Sequence, residues 1–481
     1  MKKICKYSLL FCGTLLCCII LLFFTSLIPQ SSIKTNSEKS ALYLNEKEDL
    51  FNTVVQGERL TTIDNYADTI LLNIVYNLDE KQPLRSVFLA SYYKEDWLNA
   101  NEAYKITVTE NKSPNTPYTR YWHGMMILLK PLLMFLDIRG IRIFNAVVIL
   151  ALMSCLGVLL FKKNQKILLS SMIIGFISIG VFFVPLCLEY TSTFIIMLAA
   201  CIFALLIEAK GDDKLLPLFF ITGMLTCFFD FLTTETITLT MPLIMVLCVR
   251  YKAEEIKALK SNLKESNKTK PLRSNLSEHN KTKSCINTEV VIKKEGIQYF
   301  KNVLNFSIKA GILWCVAYML MWLAKWGLSS IILKINAFEA ALEQAEVRAI
   351  GNVAGSLIDQ YIGAIFRNIA LLFPLNYGKT YGEVILLFLG IAFVTFCVLF
   401  LYRKNKDKLR QSWFLKLLML IGIVPYIRYV TLSNHSYLHY FFTYRAQLVT
   451  VTVLTYAFLE SLDKKMINKD FSKLKSKLFR G

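Results

Sequence analysis

Apolar residues in this chain come in long unbroken runs, not in the short alternating or helix-spaced sets of a soluble core. Residues 8–29, SLLFCGTLLCCIILLFFTSLIP, carry no charge. Such a run meets the roughly 20 residues that a helix needs to cross a bilayer. Similar runs recur. Together with the basic residues between them they predict ten spans, over approximately 8–28, 142–161, 167–187, 190–208, 214–231, 235–249, 304–324, 381–402, 412–432 and 443–460. Under that count Lys162, Lys163 and Lys166, then Lys210 and Lys214, then segment 250–302, then Arg403 to Arg410 all fall on one side. This is the positive-inside pattern, and it places both termini inside.

Residues 123–137, HGMMILLKPLLMFLD, interrupt an apolar run with Lys130 and Pro131. Counting them as a crossing would put Lys162 and Lys163 outside. A helix lying in the outer membrane interface fits better. The resulting order is an N-terminal anchor (1–29), an extracytoplasmic loop with the interfacial helix (30–141), spans two to six (142–249), a basic cytoplasmic linker (250–302), a seventh span (303–324), an extracytoplasmic helical segment (325–380), spans eight to ten (381–462) and a basic cytoplasmic tail (463–481). Within the first loop, 66–77 (YADTILLNIVYN) has helical spacing and 105–109 (KITVT) reads as a short strand. In the later segment, 336–349 and 356–373 read as two helices, the second ending at Pro374. The linker holds a near duplication, SNLKESNKTK at 261–270 and SNLSEHNKTK at 274–283, polar enough for a tether.

Composition excludes a soluble enzyme and a secreted disulfide scaffold. Apolar residues make up 54% and charged residues 19% of the 481, against roughly 25% charged in soluble domains. The fold class is therefore an all-α polytopic protein of the cell membrane. The net charge of +20 invites a nucleic-acid partner, but it is distributed by side. Segment 250–302 has 13 Lys/Arg against 6 Asp/Glu, and 462–481 has 7 against 2, while loop 30–122 has 10 against 13. No nucleic-acid-reading module accompanies it, and anionic lipid is the natural partner of such segments. The first span is longer than a signal-peptide core and no clean small-x-small site follows, so it reads as a retained anchor. The twelve cysteines form no disulfide framework and no paired CxxC, since loop 30–122 has none and most lie in apolar runs.

Ionisable residues within or at the ends of spans are expensive and mark functional sites by default. Here they collect on the outer side: Glu189, Asp230 and Glu235, Arg428, then His435, His439 and Arg445 around the last outer turn, with His123 opening the interfacial helix and Asp64 and Asp68 in the long loop. Convergence on one face predicts a polar cavity there. The plain alternative is that each charge at a span end is simply solvated. His435 and His439 stand one helical turn apart and could share a metal, but no HExxH accompanies them. The rings of Tyr118, Tyr121, Trp122 and His123 equally suit an aromatic interface belt.

These features follow one another as IDNYADTILLN at 63–73, YWHGMMILLKPLLMFLDIRGIRIFN at 121–145 and FFTYRAQL at 441–448. The arrangement resembles the GT-C superfamily of membrane glycosyltransferases, which take sugars from polyprenyl-phosphate carriers. In that family an anchor span is followed by a large outer loop with a catalytic acid, an interfacial helix, a span entered through an arginine, and a late outer turn pairing Arg and Tyr. The resemblance implies a general base at Asp64, with Asp68, Asp230 and Glu235 as rival carboxylates. It implies carrier and substrate binding by His123, Arg142, Arg428, His435, His439, Tyr444 and Arg445. Inversion follows from one base and one displacement. No cofactor is implied with certainty, and a divalent cation is compatible with the chemistry. The partners expected are a polyprenyl-phosphate-linked sugar and membrane lipid, with the oligomeric state open. A flippase or transporter of lipid-linked oligosaccharide and a polymerase of surface polysaccharide are the competing readings.

Overall fold

The computed structural model describes residues 2–46, 50–269, 278–351, 356–373, 381–402, 409–463, 466–470 and 472. The helices, in order, are α1 Lys2–Ser26, α2 Gln30–Asn45, α3 Asn65–Tyr76, α4 Pro83–Leu89, α5 Ala100–Glu110, α6 Met126–Leu133, α7 Ile138–Lys162, α8 Lys166–Ser178, α9 Leu188–Ile207, α10 Asp212–Phe229, α11 Ile237–Thr269, α12 Glu278–Leu333, α13 Ala337–Ile350, α14 Leu357–Ala370, α15 Tyr381–Tyr402, α16 Leu409–Gly422, α17 Val424–Thr431, α18 Ser433–Leu438, α19 Tyr440–Thr443 and α20 Leu448–Ser461. A two-stranded antiparallel hairpin, β1 Phe51–Thr53 with β2 Thr62–Asp64, precedes α3.

Among the described residues six helices are long and apolar enough to cross a membrane: Ile4–Ser26, Ile138–Lys162, Leu188–Lys210, Gln298–Leu333, Gly382–Tyr402 and Trp413–Thr431. Their outward residues are those that hydrocarbon covers, for example Ile143, Val147 and Leu150 on α7 and Leu386, Leu389, Phe393 and Phe396 on α15, all exposed. The chain is thus an all-α membrane protein. Several of the expected spans take other shapes. Residues 167–187 form the 13-residue α8, a left-handed turn at Gly180 and a turn of 3-10 helix over Val181–Leu186 that contains Pro185. Residues 235–249 open α11, which runs on past the expected linker boundary, and the seventh span lies inside α12, which reaches Leu333. Residues 443–460 start as a 3-10 turn and become α20 only at Leu448. Residues 270–277, 403–408, Pro374 and 473–481, which include parts of the expected linker and tail, lie outside the described residues.

The large loop folds as a helical cap. Residues 105–109 form no strand. They lie in α5, because Asn99 and Glu102 close a reciprocal capping box at its start and the Thr107 and Thr109 hydroxyls bond back to Ala103 and Lys105 carbonyls at 2.7 and 2.9 Å. Helix α5 packs on α2 and α3. Helix α6 has eight residues, about 12 Å of rise, too short to cross. Its Lys130 is fully buried and donates to the Ser26 and Leu78 carbonyls at 3.3 and 3.4 Å. These carbonyls end α1 and follow α3, so Lys130 ties the anchor to the cap.

Packing in the helix layer relies on close approach. At Gly223 in α10 a Cβ atom would overlap the Trp314 carbonyl of α12. Small residues are what let membrane helices come together, because lipid tails supply no hydrophobic drive between them. Gly223→Ala should therefore lower thermal stability in detergent by an overpacking penalty of about 1–3 kcal/mol. Gly311→Ala, where nothing stands within 4 Å, should be neutral or slightly stabilising. Equal melting shifts for the two variants would contradict this packing.

Candidate functional site

The hairpin and the first turn of α3 fix the site. β2 ends at Asp64, paired with Phe51, and Asp64 caps α3 by accepting the Ala67 N–H at 2.9 Å. A carboxylate suits this place, since the helix N-terminus leaves N–H groups without partners. One turn on, Asp68 points away and is wholly buried. Its Oδ2 receives the Arg142 guanidinium at 2.8 Å, and its Oδ1 accepts the Leu188 N–H at 2.7 Å. Arg142 also donates to Asn65 at 2.8 Å. The loop, α7 and α9 meet at this one carboxylate.

The junction sets Glu189, in the first turn of α9, within hydrogen-bond reach of the Asp64 carboxyl. Its Oε2 is shut from solvent and has no partner. Burial, aided by the nearby Asp68 charge, pushes the Asp64 carboxyl up to about 7, while the Ala67 N–H and Glu189 pull the other way. A group poised there exchanges protons at neutral pH.

Asp64 and Glu189 line a cavity of about 330 Å³. Its other walls include His123, Arg120, Arg348, His435 and His439, with Tyr118, Tyr121, Phe231 and Phe442. The Arg120 guanidinium lies 4.3 Å from the Tyr118 ring centroid and 5.4 Å from that of Tyr121, and Arg348 lies 5.8 Å from Tyr121. Two arginines thus converge on one ring, and each leaves its Nε buried without a partner. Arg348 comes from α13. Its face with Ala337 and Ala341 is turned inward, and its C-terminal end is held by Asn434 and Ser433 side chains on the Val347 and Ala349 carbonyls at 2.8 and 2.7 Å.

The histidines are uncharged at neutral pH. Burial and then the Lys325 and Arg120 charges drive His123 well below its ordinary range. Burial and the arginines Arg348 and Arg428 bring His439 down to about 4, and His435 is lowered in the same way, with His439 adding to it. His123 Nδ1 contacts the Tyr121 carbonyl at 3.1 Å, which leaves Nε2 without a partner. His435 Nε2 meets the Leu232 carbonyl at 2.9 Å, and its ring centroid is 4.6 Å from that of His439. Among the described residues no three His, Cys, Asp or Glu gather as a metal site.

Of the residues singled out from the sequence, the cavity brings together Asp64, Glu189, His123, His435 and His439, with the Tyr118 and Tyr121 rings. The others stand behind its walls. Asp68 and Arg142 neutralise each other. Asp230 is buried and accepts from the Thr193 hydroxyl at 2.7 Å and from the Thr233 hydroxyl and N–H, so it fastens the turn after α10. Glu235 pairs with Arg428 at 3.0 Å, and Arg428 also donates to Ser436 and to the Leu232 carbonyl. Tyr444 donates to the Ile179 carbonyl at 2.7 Å. Arg445 is enclosed between the Tyr190 and Tyr444 rings and bonds to the Phe441 and Leu60 carbonyls. These cations, expected to hold a phosphate, are engaged inside the protein. Arg120 and Arg348 line the cavity instead. Their signal in the sequence was slight: Arg120 stands between tyrosines, and Arg348 is the basic residue on an otherwise acidic helix. No known family model, curated protein or solved structure matches the chain.

The raised Asp64 carboxyl carries a stability signature. The native state holds its proton up to about pH 7, whereas the unfolded chain releases it near 3.8. Its contribution is present below about pH 4 and is lost as pH rises through 7. Asp64→Asn keeps the helix cap and removes the titration. The variant should melt above wild type at pH 8 and close to it at pH 4, with the gap opening steadily between. Parallel melting profiles from pH 5 to 8 would count against the buried carboxyl pair.

Proposed function

We propose that the chain is an integral-membrane glycosyltransferase of GT-C type that moves a sugar from a polyprenyl-phosphate carrier to a cell-envelope acceptor, with inversion. The observation that carries this reading is one cavity lined by two carboxyl groups, Asp64 and Glu189, and two arginines, Arg120 and Arg348. About ten crossings, both termini cytoplasmic and the cavity on the extracytoplasmic side of the cell membrane belong to the same reading.

Asp64 takes the proton from the acceptor hydroxyl as that oxygen attacks the anomeric carbon. The bond from that carbon to the phosphate oxygen breaks, and its electrons leave with the carrier phosphate. Developing negative charge there suits two planar guanidinium forks, which bond phosphate oxygens in pairs. The uncharged histidines add acceptors for sugar hydroxyls without competing for the phosphate. The buried carboxyl groups and the apolar rings of the lining lower the local dielectric, which strengthens each of these interactions. Ile70, Leu71 and Ile74, which also line it, offer the apolar wall that a lipid-linked donor needs. A transporter would be expected to place its polar site at mid-depth between broken repeats. Here the acids and arginines gather at helix ends and in the cap, which supports transfer over transport. A polysaccharide polymerase would use the same groups on a longer acceptor.

The full chain in liposomes loaded with radiolabelled polyprenyl-phosphate sugars should consume label and pass it to an added acceptor. Asp64→Asn should slow transfer by roughly 10²–10⁴. Arg348→Ala should mainly raise KM for the carrier, and Asp230→Asn should leave the chemistry in place. Full activity in Asp64→Asn with loss in Asp230→Asn would move the base to the end of α10. Consumption of no lipid-linked sugar, with movement of one across the membrane, would replace this reading by transport.

A further inference from the structure

The membrane face opposite the cavity has a built feature of its own. Pro217 lies inside α10 and has no N–H to give the carbonyl four residues earlier. That carbonyl, of Asp213, is met by the Lys6 ammonium of α1 at 3.0 Å. A side chain from a residue 207 positions away in sequence thus fills the gap that the proline leaves. Lys6 is held in place by one of its three N–H donors, and the other two remain for a ligand. Beside it stands Lys214. Between α1 and α10 runs an open trough of about 500 Å³, lined by Leu9, Leu10, Gly13 and Pro217 beneath the two ammonium groups. At Gly13 nothing lies within 4 Å of where a Cβ would sit, so the helices stand apart there.

We propose that this trough binds an anionic phospholipid, its phosphate between Lys6 and Lys214 and one acyl chain along Leu9, Leu10 and Gly13. Charge complementarity selects this occupant. The two ammonium groups outweigh the Asp213 carboxylate that borders the trough, and they share it with the apolar Leu9, Leu10 and Pro217 side chains and with Thr14. Lys162, Lys163, Lys166 and Lys210 stand at the helix ends that the proposed topology puts on the same side, and anionic headgroups concentrate at such a surface. The site is independent of the chemistry at the cavity. It joins the weakly packed anchor α1 to α10, so a bound lipid is part of the seam between them.

The test uses the full chain in nanodiscs of mixed phosphatidylglycerol and phosphatidylcholine, extracted into mild detergent and examined by native mass spectrometry. Wild type should retain phosphatidylglycerol in preference to phosphatidylcholine, and an excess of inorganic phosphate should not displace it. Lys6→Gln with Lys214→Gln removes both charges while keeping a polar side chain at each position. Retention should fall roughly tenfold or more. Gly13→Leu keeps the lysines and fills the trough, and should lower retention as well, in a position where the side chain meets no neighbour. Equal retention of both lipids, release by inorganic phosphate, or unchanged retention in either variant would overturn the proposal.

Discussion

Three distant parts of the chain are held together by the Asp68 carboxylate. It takes the Arg142 guanidinium from α7 on one oxygen and the Leu188 N–H at the start of α9 on the other. An ion pair buried this deeply gains little net stability, because both charges lose their water. Its value is geometric. Breaking one side leaves an uncompensated charge in a dry place, so the cap has only one seat on the helices. Asp64 and Glu189 are the immediate neighbours of this junction along α3 and α9, and their contact is inherited from it. The cavity owes its shape to a bond that takes no part in it.

A second regularity concerns which charges are free. Arg142, Arg428 and Arg445 are each matched by a carboxylate or by carbonyls within the fold. Asp230 is surrounded by threonine donors. What lines the cavity wall is a pair of acids and a pair of arginines, with no carboxylate hydrogen-bonded to either arginine among the described residues. In a low-dielectric place such groups are costly until a ligand pairs them, so the protein holds the cavity ready at the expense of its own stability.

Much of this was legible in the sequence where the signal is local. The runs of apolar residues, the helix at 66–77, the two helices near 336–349 and 356–373, and the gathering of acids and histidines at one set of helix ends all follow from spacing and charge. The strand-like KITVT was misleading, because β-branched residues argue for a strand only until a capping box and a packing partner decide otherwise. The break in 167–187 was written in Gly180 and Pro185 but hidden by uniform hydrophobicity. Which arginines face the cavity was not legible, since that depends on partners 74 and 193 residues away, as for Asp68 with Arg142 and Glu235 with Arg428. Arg120 and Arg348 are distinguished by lining the cavity, which only the packing of distant segments decides.

The way α13 is attached has a consequence for access. It buries only two alanines, Ala337 and Ala341, and its C-terminal end hangs from α18 by side-chain hydrogen bonds to its final carbonyls. Polar fastenings of this kind exchange readily for water, whereas the helices beneath are locked by apolar area. Local opening of such an element lies far below the free energy of global unfolding. The amides at the end of α13 would then trade hydrogen for deuterium early, while those of α9 and α10 wait. Each such opening withdraws Arg348 from the cavity wall and uncovers the interior while the helices beneath stay in place.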